Sequence, residues 1–461
     1  MVVKSMVATE DEVVLNLMGS DIHESQIVKI LNLVRDTKKE TMVSVDYLVE
    51  EYLECSDYKQ SVTTFIEHES PIRRYCAFEV IQDQFDIVDE CWLREGNYGT
   101  ESKVIPALYD SLALKKNANS EDRVRIPKRA NFFCKRKRDD SLWVLSFHTW
   151  EDADTDLMIF TSQPHEEVKR LVDDIEDFFC EKGPLKGACF NPQWEWIEPD
   201  YADWDDVILN EDIRDSIDLN IVTFLDNIKL YAEHGLSTSR GVLLSGLPGT
   251  GKTLTMEVLL NVFNNHTRIY APAETLTYPE AINETYKLAR KLSPTLVIIE
   301  DIDTLGRAED HHDRSVYVSQ LLSSLNSAES NESVITIAST NYPQALDIAL
   351  RDRPGRFDSR INFPLPNKKE RELILRKYST SFKVKDLNWK TWAKKTEEFT
   401  GAWLRELITV AFSLAVRKQK SNKSPVLNND YMEQAFSIVH KTRSMVNLYR
   451  ESESESENLF M

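Results

Sequence analysis

Apolar residues in the first part of the chain recur at three- and four-residue intervals. Examples are Ile27, Ile30, Leu31 and Val34, then Val62, Phe65 and Ile66, and later Phe78 and Ile81. That period lays one apolar stripe along a helix and predicts a largely helical region over 1–120. From about residue 123 the texture changes. RVRIPKRANFF, SLWVLSFHTW and DLMIFTS are rich in β-branched and aromatic side chains and read as strands, with CKRKRDD as a polar turn between the first two. Val168, Leu171, Val172 and Ile175 restore helical spacing, so 121–199 is expected to hold a small α+β unit and a linker. The segment 190–206, with two prolines, three tryptophans and six acidic residues, places a domain boundary near 200.

Beyond that boundary the runs GVLLSG, TRIYA, TLVIIED, VITIAST and RINFPLP alternate with helical patterns. Such alternation predicts a parallel sheet with helices on both faces over 200–366. From 367 to 446 the pattern is helical. The last stretch, 447–461, alternates serine with Glu451, Glu453, Glu455 and Glu457 and is expected to be a disordered acidic tail. No internal repeat is evident.

Composition narrows the function classes. A net charge of −20 over 461 residues argues against a general coat for nucleic acid or an anionic membrane surface. No apolar run reaches the roughly 18 residues of a membrane span, and the opening MVVKSMVATEDEVV is too short and too soon acidic for a secretory leader. The expectation is a soluble, cytoplasmic chain without a membrane span. Cys55, Cys76, Cys91, Cys134, Cys180 and Cys189 form no metal-ligand spacing and are read as reduced, core-filling residues. Glycine is scarce, 13 in all, yet Gly235, Gly241, Gly246, Gly249 and Gly251 fall within 17 residues. A chain that avoids glycine has gathered it where its backbone must turn tightly or approach a ligand.

That gathering carries chemistry. Gly246, Leu247, Pro248, Gly249, Thr250, Gly251, Lys252 and Thr253 satisfy GxxxxGK[ST], after a strand-like run and before the helical LTMEVLLNVF that Leu254 opens. Backbone N–H groups of such a loop, with the helix N-terminus behind it, cradle phosphates. Lys252 is expected at the β- and γ-phosphates and the Thr253 hydroxyl at Mg²⁺. A second strand, Leu296 to Ile299, runs into Glu300, Asp301 and Asp303. Carboxylates at that place can hold the metal and polarise an attacking water. VITIAST runs into Asn341, whose amide could orient the water.

Together these residues resemble the AAA family of ATPases over roughly 201–445. ADWDDVILNEDIRDSI is similar to the family's leading segment, SRGVLLSGLPGTGKT to its Walker A, TLVIIEDID to its Walker B, ITIASTN to its sensor 1, and LRDRPGRFDSRINFPLP to its second region of homology. The resemblance implies an α/β fold: a doubly wound parallel-sheet P-loop AAA domain with a C-terminal helical lid, preceded here by a helical and α+β N-terminal domain. It implies ATP and Mg²⁺ as cofactors, with Lys252 and Thr253 on phosphate and metal, Glu300 on the metal, Asp301 on the water and Asn341 as sensor 1. Arg356 corresponds to the arginine finger that reaches a neighbour's γ-phosphate, which implies a homo-oligomeric ring, usually a hexamer. Arg405, in TGAWLREL, corresponds to sensor 2.

Departures from the family pattern accompany these matches. The family usually ends the second strand in Asp-Glu, whereas this chain has Glu300 then Asp301, an order similar to that of the subgroup containing the mitochondrial inner-membrane translocase ATPase. Ser359 stands where a second finger usually lies, with Arg360 one step late. The pore-loop stretch APAETLTYPEAINET lacks glycine and offers Tyr278 as its aromatic residue, and His311 and His312 fall where a second pore loop would lie. The leading expectation is a ring-forming ATPase that remodels or unfolds an unknown protein client. The alternatives are a nucleic-acid motor or loader, using the basic stretch Arg123 to Arg138 with Phe132 and Phe133 for stacking, and a slow nucleotide-gated scaffold.

Overall fold

Strand-forming runs between 59 and 161 pair into one antiparallel sheet, and those between 189 and 363 into a separate parallel one. The computed structural model describes residues 8–9, 12–13, 45–66, 69–94, 103–115, 123–151, 154–305, 311–325, 333–343, 357–418 and 425–459. Two units are distinguished, Met1–Lys186 and Gly187–Met461.

The first unit is built on seven strands: β1 (Lys59–Phe65), β2 (Phe85–Arg94), β3 (Lys103–Ile105), β4 (Leu108–Ala113), β5 (Arg123–Arg136), β6 (Leu142–Thr149) and β7 (Thr155–Thr161). They are ordered β1-β7-β6-β5-β2-β3, and β4 pairs with the first half of β5. Helix α1 (Val45–Leu53) covers one face and helices α2 (Ser70–Gln84) and α3 (His165–Glu181) the other. The expectation of a largely helical 1–120 is therefore corrected: four strands lie between 59 and 113. The Val62, Phe65, Ile66 spacing that suggested a helix belongs to β1 and the residue after it, where Val62, Thr63 and Thr64 favour an extended chain. The Ile27 to Val34 stripe lies outside the described residues.

Covering both faces decides the fate of the basic stretch. Side chains of adjacent strand residues point to opposite faces, so Phe132 packs among Phe78, Trp143 and Phe147 beneath α2 and α3, while Phe133 packs with Leu48, Val49 and Tyr52 of α1. Both rings are buried. Arg136 is buried as well, lying over the Trp143 ring at 5.0 Å and donating to Glu167 at 2.9 Å. Stacking of nucleobases on Phe132 and Phe133 is thereby excluded, because the sheet has already used both rings as core.

The second unit contains β8 (Cys189–Phe190), β9 (Arg240–Gly246), β10 (Thr267–Pro272), β11 (Thr295–Glu300), β12 (Val334–Thr340) and β13 (Ser359–Phe363), all parallel and ordered β8-β10-β11-β12-β9-β13. Because β8 pairs with Arg268 and Ile269, the unit begins at Gly187, ahead of the boundary expected near 200. Helices α4 (Glu211–Ile217), α5 (Lys252–Val262), α6 (Pro279–Lys291) and α7 (His311–Leu325) accompany the strands. The chain leaves β9 for the far side of the sheet and works back, so β9 ends between β12 and β13. A crevice at the carboxyl ends of the strands follows from that reversal.

Four further helices, α8 (Lys368–Ser379), α9 (Trp389–Lys395), α10 (Gly401–Lys418) and α11 (Asn429–Leu459), share a core around Trp392, Leu404, Leu407 and Met432. Asn367 and Glu370 form a reciprocal capping box that starts α8. Helix α11 continues to Leu459. Asn429–Leu459 holds neither proline nor glycine, and glutamate is a good helix former, so nothing local ends the helix earlier.

The start of α10 rests on the glycine loop. Ala402 N–H donates to the Gly249 carbonyl at 3.2 Å, and Gly249 adopts φ +78°. A Cβ at Gly249 would stand 2.6 Å from Ala402 Cβ and 3.0 Å from Thr400 Oγ1. Both the backbone angle and the approach of α10 demand glycine there.

Two outcomes follow from this packing. Phe132→Ala is expected to lower the stability of the first unit by about 3–5 kcal/mol, whereas Arg125→Ala, which removes an exposed contact with the Tyr109 ring, costs under about 1 kcal/mol. Denaturant midpoints distinguish the two. Gly249→Ala is expected to push α10 off the loop and weaken binding of a fluorescent ATP analogue at least roughly tenfold, about 1.4 kcal/mol; unchanged affinity would show that the loop and α10 are not in contact when nucleotide binds.

Candidate functional site

The carboxyl ends of β9, β11 and β12 bring the sequence-predicted residues together. Gly246 closes β9 and the loop turns through Gly251, at φ +108°, into α5. Gly251 has no side chain to cap that helix, so the first N–H groups of α5 remain available to an anion. Lys252, only 5% exposed, folds back over its own loop. Its Nζ donates to the Gly246 carbonyl at 2.7 Å, the Leu247 carbonyl at 3.1 Å and Asn341 Oδ1 at 2.9 Å. These acceptors are neutral oxygens, so the ammonium charge is solvated by dipoles and stays available to a phosphate. Burial pulls the Lys252 pKa below its ordinary value, against the opposing pull of Asp301, Asp303 and Glu300.

Asn341 joins the lysine to the acids. Its Nδ2 donates to Asp301 Oδ1 at 2.8 Å while its Oδ1 accepts from Lys252, which also fixes the orientation of the amide. The asparagine is held in turn by Asp303, 1% exposed, whose Oδ1 accepts the Asn341 backbone N–H at 2.9 Å. Asp301 sits in the left-handed region at φ +53°, and its N–H donates to Ser339 Oγ at 3.0 Å. A strained backbone pinned from the neighbouring strand aims this carboxylate into the crevice. Burial raises the Asp301 pKa above the usual carboxylate range, and the charges of Asp303 and Glu300 add to it.

Glu300 faces the other way. One carboxylate oxygen accepts from the Thr253 hydroxyl and the other from the Tyr270 hydroxyl. The pair Glu300 and Thr253, hard oxygen donors in contact beside the phosphate loop, fits an Mg²⁺ ion. The crevice, about 960 Å³, runs from Lys252, Thr253 and Asp301 to an apolar end formed by Val207, Leu209, Ile374 and Tyr378. A phosphate-binding end and an apolar end suit a nucleotide with its base against the α8 side. Arg405, exposed on α10, lines the crevice, its guanidinium carbon 5.7 Å from the Tyr378 ring centre.

Arg356 lies outside the described residues. Arg360 lies on β13, and His311 and His312 open α7. Among the described residues no group of three or more His, Cys, Asp or Glu could hold a metal ion. Tyr278, at the start of α6, is 43% exposed and donates to Glu284 at 2.7 Å. Sequence reasoning missed the role of Tyr270 and the support that Asp303 gives Asn341. The first had no local signal, since Tyr270 and Glu300 meet only through the pairing of β10 with β11.

Comparison with known proteins agrees with this geometry. Residues 242–365 match the model of the ATPase family associated with various cellular activities (AAA). The chain is similar to the ATP-dependent zinc metalloprotease FtsH of Mycoplasma mobile, 31% identical over 247 residues that make up 50% of this chain and 34% of the relative. Against FtsH of Borreliella burgdorferi the identity is 33%, covering 50% and 37%. Against chloroplastic FTSH 7 of Arabidopsis thaliana it is 34%, covering 44% and 27%. The chain thus spans about a third of the length of these relatives.

One expectation is corrected by them. The expectation of a chain without a membrane span does not stand, because the similar proteins are FtsH proteases and the chain spans only about a third of their length. No helix among the described residues is long and apolar enough to cross a membrane, a statement confined to those residues. From the crevice, its residues and the family match together, the chain carries an AAA ATPase domain, an α/β module of an ATP-hydrolysing family that works with ATP and Mg²⁺.

Proposed function

We propose that the chain is a ring-forming ATPase that couples hydrolysis to the remodelling or unfolding of a protein client. The observation that carries the hydrolytic part is the bridge from Lys252 through Asn341 to Asp301, which links a phosphate-binding cation to a carboxylate placed to accept a proton. Lys252 and the α5 N-terminus hold the β- and γ-phosphates. Thr253 and Glu300 hold Mg²⁺, which when bound neutralises charge on the phosphate oxygens. Asp301 takes the proton of the attacking water, and Asn341 orients that water against it. Arg356 of a neighbouring subunit completes the charge stabilisation, and Arg405 reports the nucleotide to the lid.

A protein client is supported by two observations. The similar proteins are ATP-dependent proteases, and Tyr278 offers an exposed aromatic side chain just beyond β10. The Glu300–Asp301 order, with its likeness to the translocase ATPase subgroup, fits the same class of work on polypeptides. The buried state of Phe132 and Phe133 counts against a nucleic-acid motor.

The roles separate in simple variants. Lys252→Ala is expected to abolish nucleotide binding. Asp301→Asn should retain binding and lose turnover by roughly 10²-fold or more; full turnover in Asp301→Asn, with loss in Glu300→Gln, would invert the assignment. Steady-state ATP turnover with an unfolded model protein should rise severalfold over the chain alone, while single-stranded DNA should leave it unchanged. Stimulation by DNA alone would overturn the protein-client reading.

A further inference from the structure

Glu300 occupies a position where the family pattern has the shorter aspartate. Its additional methylene adds a torsion that must be fixed if the carboxylate is to serve a metal, and freezing side-chain torsions opposes binding. In this chain two hydroxyls do the fixing, one on each carboxylate oxygen: Thr253 and Tyr270. Their roles differ once Mg²⁺ is bound. Thr253 is itself assigned to the ion, so the direction of its hydroxyl is set by the metal as well as by the glutamate. Tyr270 is the donor that the ion does not engage.

The sheet places Tyr270 for this. Strand β10 pairs in parallel with β11, Tyr270 opposite Ile298 and Pro272 opposite Glu300. Residues two apart on a strand share a face, so Tyr270 and Glu300 are diagonal neighbours on one face, within reach of an aromatic side chain. The Tyr270 ring packs against the core that contains Leu296 and Ile298, which holds the phenol rigid while its hydroxyl emerges at the polar end. We infer that Tyr270 is a positioning residue for the Mg²⁺ site, anchoring the longer Glu300 carboxylate through the oxygen that does not face Thr253 and so adapting the Glu-Asp strand end to metal binding.

This inference rests on the assignment of Glu300 and Thr253 to the metal, and its test separates the two. The readout is the Mg²⁺ concentration giving half-maximal enhancement of binding of a fluorescent ATP analogue, which needs no turnover. Glu300→Gln first establishes that the assignment holds, by raising that concentration. Tyr270→Phe is then expected to raise it roughly tenfold, as loss of a residue supporting a ligand does, while affinity in EDTA and the melting temperature without nucleotide stay near those of the parent. In a Glu300→Asp background, whose shorter side chain no longer spans to Tyr270, Tyr270→Phe should add nothing. An unmoved Mg²⁺ requirement in Tyr270→Phe, with Glu300→Gln shifted, overturns the inference alone. Equal losses in both backgrounds also overturn it, since Tyr270 would then act through sheet packing. A Glu300→Gln variant with an unmoved Mg²⁺ requirement overturns the metal assignment itself.

Discussion

A lysine ammonium almost removed from water must be surrounded by oxygens, and the second unit is arranged to supply them to Lys252. Two come from the loop that precedes it and the third from Asn341, at the end of a different strand. That third contact requires β12 to lie directly beside β9 although more than 80 residues separate them in sequence. The strand order β8-β10-β11-β12-β9-β13 meets the requirement and also sets Glu300 and Asp301 one strand further along, within reach of the same phosphate site. Isolated burial of the cation would be costly; its oxygen shell makes burial tolerable and holds the side chain for an anionic ligand.

From this centre the remaining features follow as supports. Asp303 fixes the backbone of Asn341, Ser339 fixes that of Asp301, and Gly249 admits the start of the lid helix against the loop. The lid core around Trp392 and Leu407 continues directly into α10, which carries Arg405 along the crevice. A change at the nucleotide can therefore reach the helical region through one short contact, Ala402 to Gly249.

Much of the second unit was legible because its signals are local. Fully buried parallel strands appear as continuous apolar runs, and the glycine loop declares itself in a chain poor in glycine. Asn341 and the acids could be placed because each directly ends or follows such a run. The first unit was less legible between 59 and 113. Its strands there are short or mixed in polarity, and the accidental spacing of Val62, Phe65 and Ile66 imitated a helix. Tyr270 could not be found from sequence at all, because its meaning depends on register between two strands.

The bridging role of Asn341 is the claim on which the catalytic account stands, and steady-state kinetics of Asn341→Ala test it most directly. The account expects kcat to fall roughly 10²-fold while KM for ATP stays within a few-fold, since the base and phosphate contacts of the crevice remain. A kcat equal to that of the parent would contradict it, and would mean that the link from Lys252 to Asp301 plays no part in the chemistry.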